Sequence, residues 1–475
     1  MTIPLTAPFE SFIYPFFDLN FHARHDEVVQ AFLKTPSLSP GLKGMYIHVP
    51  FCETLCHFCP FYKIVGTDDR IENYVQALET ELRMRAQEPR ILEWTFDTIY
   101  IGGGTPSLLT VEQVSRLLSI IREYFSLATV CEISMELEAK SISEEQLLGF
   151  KEAGVTRVSF GVQTFHPKIR KSLNLTPTLE QIDSAIALCA RVFPNANNID
   201  MIVGLPGQTN EDMYADIDAA IHSGIDSLSI YPMDYIMTTP HLIESFRQGK
   251  TPLPPTAPNM MQMFYRARNY LKQYWSEDNT YCYSRLGISP CRYMFDIVYG
   301  SYANEYIAIG ASAYGLLQGL VYQNIPDEAE YVKRLRNGLS TVHLSSPYHA
   351  YEKGLVFFPK IGRYDLNDLR RWDYLDLYQN RIDRLRNDGL VTITENIMTL
   401  TPEGELRYGP LMLEFFSDNQ KRLYNRIWRR MSTQLGWDVE TSRPTEGTAS
   451  QESLGGLSAM AIGPKPRLDR ASTSV

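Results

Sequence analysis

From Met45 to about Tyr235 the chain alternates between two hydrophobic patterns. The runs MYIHVPF, FDTIYIGGG, CEISMELE, RVSFGVQTF, NIDMIVGLP and SLSIYPMDY are short, apolar or alternating, and each ends in a Gly, Pro or polar turn. They predict strands. Between them lie stretches with helical period. In RIENYVQALETELRMR, Ile71, Tyr74, Val75, Leu78 and Leu82 fall on one face. VEQVSRLLSIIREYF, SEEQLLGFKEAG, LEQIDSAIALCARVF and NEDMYADIDAAIHSG repeat the theme. Six successive β-α units predict a parallel sheet in an α/β fold, and six is short of eight, so a partial (β/α)6 TIM-like barrel is expected. In such a sheet ligands bind at the C-terminal strand ends. Cys52, Gly103, Glu136, Gln163, Asp200 and Asp234 fall at or near those ends, one per strand.

The remaining pattern divides the chain further. Residues 1–44 form an N-terminal segment and 45–235 the barrel. Residues 236–335, rich in Tyr, Met and Pro, extend it and complete the pocket. Over 336–435, helices alternate with DGLVTITENIMTLTPEGE, which has the pattern of a hairpin, so a winged-helix-like α+β module is predicted. Residues 436–475 are rich in Ser, Thr, Gly and Pro, and a disordered tail is expected there.

Composition narrows the class. The chain has 475 residues, 44% hydrophobic, with a net charge of -10. That balance argues against a broad nucleic-acid surface. No apolar run reaches the ~18 residues of a membrane span, and the N-terminus lacks the basic-then-apolar pattern of a signal peptide. A cytoplasmic protein without a membrane or nucleic-acid partner is expected. Seven cysteines, an odd number, suit reduced thiols and metal ligands better than a disulfide framework.

Three of the seven, Cys52, Cys56 and Cys59, crowd into MYIHVPFCETLCHFCPFYK as C-x3-C-x2-C. Four ligands would close a zinc site or fill a cubane cluster, whereas three leave one iron open. A zinc site would have to recruit His57, which is adjacent to Cys56 and poorly placed to converge with it. The spacing resembles that of the radical S-adenosylmethionine (SAM) superfamily. The resemblance implies a [4Fe–4S] cluster whose open iron chelates the SAM amine and carboxylate, with electron transfer cleaving SAM to a 5′-deoxyadenosyl radical.

Further motifs narrow the resemblance. MYIHVPFCETLCHFC, IYIGGGTPS, RVSFGVQTFHP, NIDMIVGLPGQT and IAIGASAYG occur in order and are similar to the HemN-like family, which includes oxygen-independent coproporphyrinogen III oxidases. The match covers about 45–325. It implies a second SAM beside the first. By matching motif positions, Tyr46, Gly103 and Glu136 would contact the cluster-bound SAM. Phe58, Gly104, Thr105, Gln163 and Asp200 would contact the second, with Ile202, Asp234 and Tyr314 completing the pocket.

The chain departs from the oxidases at two places. Phe61 stands where they carry another cysteine, and Leu175 where they carry an arginine, although Arg170 and Lys171 lie close by. These departures favour the family's other chemistry, class C methylation or cyclopropanation. There the deoxyadenosyl radical takes hydrogen from the methyl group of the second SAM, and the resulting carbon radical adds to an sp2 carbon of the substrate. The aromatic stretch NTYCYSRLGISPCRYMFDIVYGSY suits a flat, unsaturated or aromatic small-molecule substrate. His166, Tyr231 and Cys282 are the candidate proton acceptors, with Tyr283 and Cys291 behind them. The resemblance also implies a reductant such as flavodoxin or ferredoxin, and it leaves room for a partner methyltransferase. Oxidative decarboxylation of coproporphyrinogen III, or another tetrapyrrole reaction, is the alternative. A haem chaperone is the third reading, and the segment SPCRYMFDIVYG holds no histidine to support it.

Overall fold

The computed structural model describes residues 23–36, 39–59, 61–235 and 239–435. The expected tail at 436–475 and most of the N-terminal segment lie outside the described residues. All six expected strands form: β1 (Lys43–Val49), β2 (Thr95–Gly103), β3 (Ser126–Leu137), β4 (Arg157–Gln163), β5 (Asn197–Val203) and β6 (Ser227–Pro232). They pair in parallel, each with the next.

Helices cross between them: α2 (Asp68–Arg85), α3 (Val111–Tyr124), α4 (Glu144–Ala153), α5 (Leu179–Val192) and α6 (Asn210–His222), after an earlier α1 (His25–Lys34). Their starts are written in the sequence. Thr110, Thr178 and Thr209 each cap a helix reciprocally with the residue three places on, Gln113, Gln181 and Asp212. The side chain of the first fills one orphan N–H and that of the second fills another. The apolar face read in α2 is the buried one, with Ile71, Tyr74, Val75, Leu78 and Leu82 all packed inward.

The sheet does not stop at six strands. Two short antiparallel strands, β7 (Ser276–Glu277) and β8 (Cys282–Ser284), extend it beyond β6. On the other side β9 (Glu305–Ile309) lies parallel to β1. An antiparallel series follows: β10 (Tyr314–Leu317), β11 (Leu320–Asn324) and β12 (Val342–Pro347). The order is β12-β11-β10-β9-β1-β2-β3-β4-β5-β6-β8-β7, twelve strands in one open sheet. Strand β1, which leads into the cysteine loop, is therefore interior to the sheet, and α1 packs against the terminal strand β12.

The chain continues through α7 (Pro240–Arg247) and α8 (Ala257–Leu271), both before β7, and later α9 (Leu375–Asn387) and α10 (Asp418–Leu435). A three-stranded sheet of Arg363–Asp365, Val391–Thr394 and Ile397–Leu400 contains the expected hairpin. Among the described residues no helix is long and apolar enough to cross a membrane.

Candidate active site

The inner wall of the sheet follows from strand parity. In a strand, alternate residues face opposite sides. Tyr46, Tyr100, Glu136, Gln163, Asp200, Ile202 and Tyr231 are partly exposed while their immediate strand neighbours are mostly buried. The register aligns them: Tyr46 opposite Tyr100, Glu136 opposite Ser159, Gly161 opposite Asp200, and Ile202 opposite Tyr231. The strand-end residues thus line one concave face.

The cysteine loop leaves the end of β1. Phe51–Cys52 pairs in parallel with Ile64–Val65, which closes the loop at its base. The Ile64 N–H donates to Pro50 O at 2.8 Å, and Lys63 Nζ donates to Cys59 O at 2.6 Å. The GGGTP turn grips the same segment, with Gly104 N–H on Val49 O (2.8 Å) and Thr105 N–H on Phe51 O (2.7 Å). A Cβ on Gly104 would lie 2.6 Å from Phe51 O and 2.9 Å from Pro50 C, so this contact of two backbones admits only glycine. Phe58 turns inward and is buried with Leu173, Leu205 and Met233, whereas Phe61 is 55% exposed.

The donor set fits an iron–sulfur cluster. Burial, opposed mainly by the Thr105 hydroxyl, pushes the Cys52 thiol up to about 11. Burial followed by the neighbouring Cys59 and Cys52 pushes Cys56 up to about 12. Three thiolates here would repel one another with Lys63 as the nearby cation, and bound iron would remove that penalty. Among the described residues no three such side chains are already gathered on one point.

Beside the loop, Glu136 joins two strands. Its carboxylate accepts from Gly103 N–H (2.9 Å) and from the Tyr100 hydroxyl (2.8 Å). Burial dominates all the same, and holds its pKa up at about 7. Asp200, raised by burial to about 6, accepts from Asn198 at 2.9 Å and is also bonded by Ser229. Gln163 is in the left-handed region (φ 68°) at a break in the β4–β5 register. Its amide folds back over Gly161.

Several residues of this wall were not singled out in the sequence. His48 is buried, its Nε2 facing Tyr62 O at 3.2 Å and its Nδ1 facing the Tyr46 hydroxyl at 3.0 Å. A carbonyl only accepts, so Nε2 carries the proton and Tyr46 donates to Nδ1. Burial lowers His48 to about 4 and keeps it neutral. Tyr46, Tyr100 and Tyr293 stack mutually, with centroids 4.9 to 6.1 Å apart, and Tyr293 enters from a π-helical turn. Parity with Tyr46 would have found His48, and parity with Gly102 would have found Tyr100. Tyr293 lies in the aromatic stretch expected to suit a flat substrate, although it was not singled out by number.

Tyr314 begins β10, after the loop Gly310–Ala313. That loop is held from α2. Gly310 N–H donates to Glu81 (2.8 Å) and Ala311 N–H to the Tyr74 hydroxyl (2.8 Å). Glu81 also accepts from Tyr331, Thr341, Asn324 and Arg85. Asp234 lies just beyond β6, half-buried.

The three candidate proton acceptors have different surroundings. His166 caps the short helix Pro167–Ser172, and its Nε2 pairs with Asp212 at the start of α6 (3.2 Å). Tyr231 is on the inner wall, stacked on Tyr281, and burial raises its hydroxyl well above the usual range. Cys282 lies beside Ser229 (Sγ–Oγ 3.8 Å), and burial pushes its thiol up to about 12. Burial holds both protonated in the cofactor-free protein. Tyr283 is buried against Arg268 and Glu277. Cys291 meets Ser134 at 3.8 Å, also with a raised thiol. Leu175 packs with the Phe58 cluster, and Arg170 is spent on the carbonyls of Val162, Thr164 and Pro177.

Residues 46–220 match the model of the radical SAM superfamily. The chain is 32% identical over 291 residues to heme chaperone HemW of Lactococcus lactis subsp. lactis, covering 61% of this chain and 73% of that one. It is 32% identical over 229 residues to anaerobilin synthase of Escherichia coli O157:H7, covering 46% of this chain and only 49% of that relative. Among solved structures, coproporphyrinogen III oxidase (HemN) from Escherichia coli superposes with a TM-score of 0.70 at 23% identity, over 84% of this chain and 94% of the other.

Proposed function

The chain belongs to the HemN-like family of radical SAM proteins, which bind a [4Fe–4S] cluster and SAM, and on that premise we propose that it transfers a one-carbon unit from a second SAM to an sp2 carbon of a flat, unsaturated substrate. When bound, the cluster and its SAM supply a 5′-deoxyadenosyl radical. Cys52, Cys56 and Cys59 would hold the cluster. Tyr46, Gly103 and Glu136 would orient the SAM on it, and the backbone of the GGGTP turn would fix their spacing to the loop.

One observation carries the two-SAM reading. Two half-buried carboxylates, Glu136 on β3 and Asp200 on β5, face the same concave wall with β4 between them. Each suits a pair of ribose hydroxyls, and one SAM has only one ribose. Gln163 and Ile202 flank the second position, and Phe58, Gly104 and Thr105 stand on its loop side. The stacked Tyr46, Tyr100 and Tyr293 offer a flat aromatic surface to a conjugated substrate. Phe61 and Leu175, at positions where the resemblance to the oxidases calls for a cysteine and an arginine, weigh against a multiply charged porphyrinogen. With Tyr231 and Cys282 held protonated, Glu136 and Asp200 are the inner-wall groups whose pKa values lie nearest neutrality.

A tetrapyrrole reading is favoured by the relatives' names, heme chaperone and anaerobilin synthase. One experiment separates the two. Reconstituted, reduced protein is incubated anaerobically with methyl-deuterated SAM, and 5′-deoxyadenosine is examined by mass spectrometry. Deuterium in that product supports one-carbon transfer. Cleavage without deuterium, with candidate unsaturated substrates present, rejects it in favour of tetrapyrrole chemistry. Tight binding in a haem titration, without SAM cleavage, would make the chain a chaperone.

A further inference from the structure

Helix α10 stands apart electrostatically. It carries five basic residues against one acidic in a chain whose net charge is -10. Arg422, Arg426 and Arg429 recur at i, i+4 and i+7 and are exposed, so they form one stripe. Tyr424 turns the other way and is buried. Lys421 lies half-buried on the same helix among Arg381 and Arg384 of α9, Glu414, which pairs with Arg384, and Asp418.

This helix connects to the cysteine loop through α7. It packs on α7. Thr239, which caps α7, donates its hydroxyl to the carbonyl oxygen of His57, between Cys56 and Phe58 in the loop. His241 of α7 faces the His57 ring with centroids 3.8 Å apart. The α10–α7 contact and the Thr239 bond thus link the helix that carries the stripe to the loop.

Reductive cleavage of SAM draws one electron at a time from outside the protein. Small one-electron carrier proteins, whether flavin or iron–sulfur, are commonly acidic around their exposed redox centre. We propose that the stripe Arg422–Arg426–Arg429 on α10 docks such an acidic carrier and brings it against the α7 side of the cysteine loop. Opposite charges on the two surfaces steer encounter and fix orientation, an effect that salt weakens. The inference requires cluster-dependent SAM cleavage and is independent of whether a one-carbon unit is then transferred.

The test compares two reductants on the reconstituted full chain. Dithionite, a small anion, needs no docking surface, whereas flavodoxin with its reductase does. The triple variant Arg422→Glu/Arg426→Glu/Arg429→Glu is expected to lose about tenfold in the flavodoxin-driven rate of cluster reduction and deoxyadenosine formation, with its salt dependence flattened. The dithionite-driven rate should be unchanged, and flavodoxin binding to the protein, measured by calorimetry, should weaken in parallel. The Gln triple variant, which removes charge without reversing it, should fall between. Equal losses with both reductants, no loss with either, or failure of both flavodoxin and ferredoxin to reduce the wild-type cluster would overturn the proposal. So would a stripe whose neutralisation abolished binding of duplex DNA or RNA and left flavodoxin binding intact.

Discussion

Gly103 and Glu136 are 33 residues apart in the chain and on adjacent strands, and the Gly103 N–H donates to Glu136 Oε2 at 2.9 Å. The bond ties the glycine turn to the inner wall, yet burial still holds the carboxyl up at about 7, well above an ordinary glutamic acid. Between its unfolded value and that folded one, the native chain binds the proton more tightly than the unfolded chain does. The associated stability is therefore present in acid and is lost as pH rises through about 7. Glu136→Gln should flatten the stability profile of the cofactor-free protein between about pH 5 and 8, with a gain of up to about 3 kcal/mol at the upper end. The same variant should weaken SAM binding. Chemical denaturation at several pH values checks the first expectation and equilibrium dialysis with labelled SAM the second.

Gly161→Ala should separate folding from binding. An added Cβ would meet the far end of the Gln163 amide at 2.2 Å and no backbone. The side chain can swing away, so thermal stability should change by less than ~1 kcal/mol. Swinging away removes Gln163 from the inner wall. Under the two-SAM reading, saturation binding should fall from two SAM per chain toward one.

Gly104→Ala should behave in the opposite way. Its Cβ would press on the backbone of Pro50 and Phe51, which cannot rotate aside. The loop must shift, at a cost of ~1–3 kcal/mol. Iron and sulfide per chain after reconstitution should fall with it.

Cys52→Ala, Cys56→Ala and Cys59→Ala should each abolish the cluster absorbance and deoxyadenosine formation. Cys131, Cys189, Cys282 and Cys291 should be replaceable without loss of iron. Cys282 and Cys291 reach serines on neighbouring strands rather than the cysteine loop. Retention of iron in the three-cysteine variant would reject the ligand assignment.

His166→Gln should retain SAM cleavage within about threefold, because its ring is paired with Asp212 on α6 rather than with a residue of the inner wall. A loss of ~100-fold or more, the scale of a general base, would restore it as one.

Much of this arrangement was legible before the coordinates. Periodicity located six strands and their crossing helices, because each element obeys the packing of a sheet buried behind helices. The cysteine spacing, the strand ends and the resemblance to the HemN-like family then named the candidate site. What escaped depends on register between distant segments. Tyr293 reaches Tyr100 through a π turn almost 200 residues further along the chain, and the aromatic stretch that contains it did not say which of its rings would face the strands. The Glu81 network is formed by α2 with residues 310 to 341, so its partners are invisible from the helix alone. His166 looked suited to catalysis by its place after a strand, and its partner Asp212 becomes apparent only when α6 is packed beside it. Tyr231 and Cys282 did reach the wall, and residue type alone does not reveal that burial raises both their pKa values there.

The place of β1 in the interior of the sheet has a consequence for biogenesis. It pairs on one side with β2, which follows closely, and on the other with β9, where Lys43 Nζ meets Glu305 Oε2 at 2.9 Å across 262 residues of sequence. During synthesis the cysteine loop is made early, while one edge of the strand that carries it stays unpaired until β9 arrives. Contacts of such long sequence separation form late. Assembly of the cluster should therefore follow completion of the sheet rather than accompany the emerging chain. A chain truncated before residue 305 should present the three thiols but fail to retain iron.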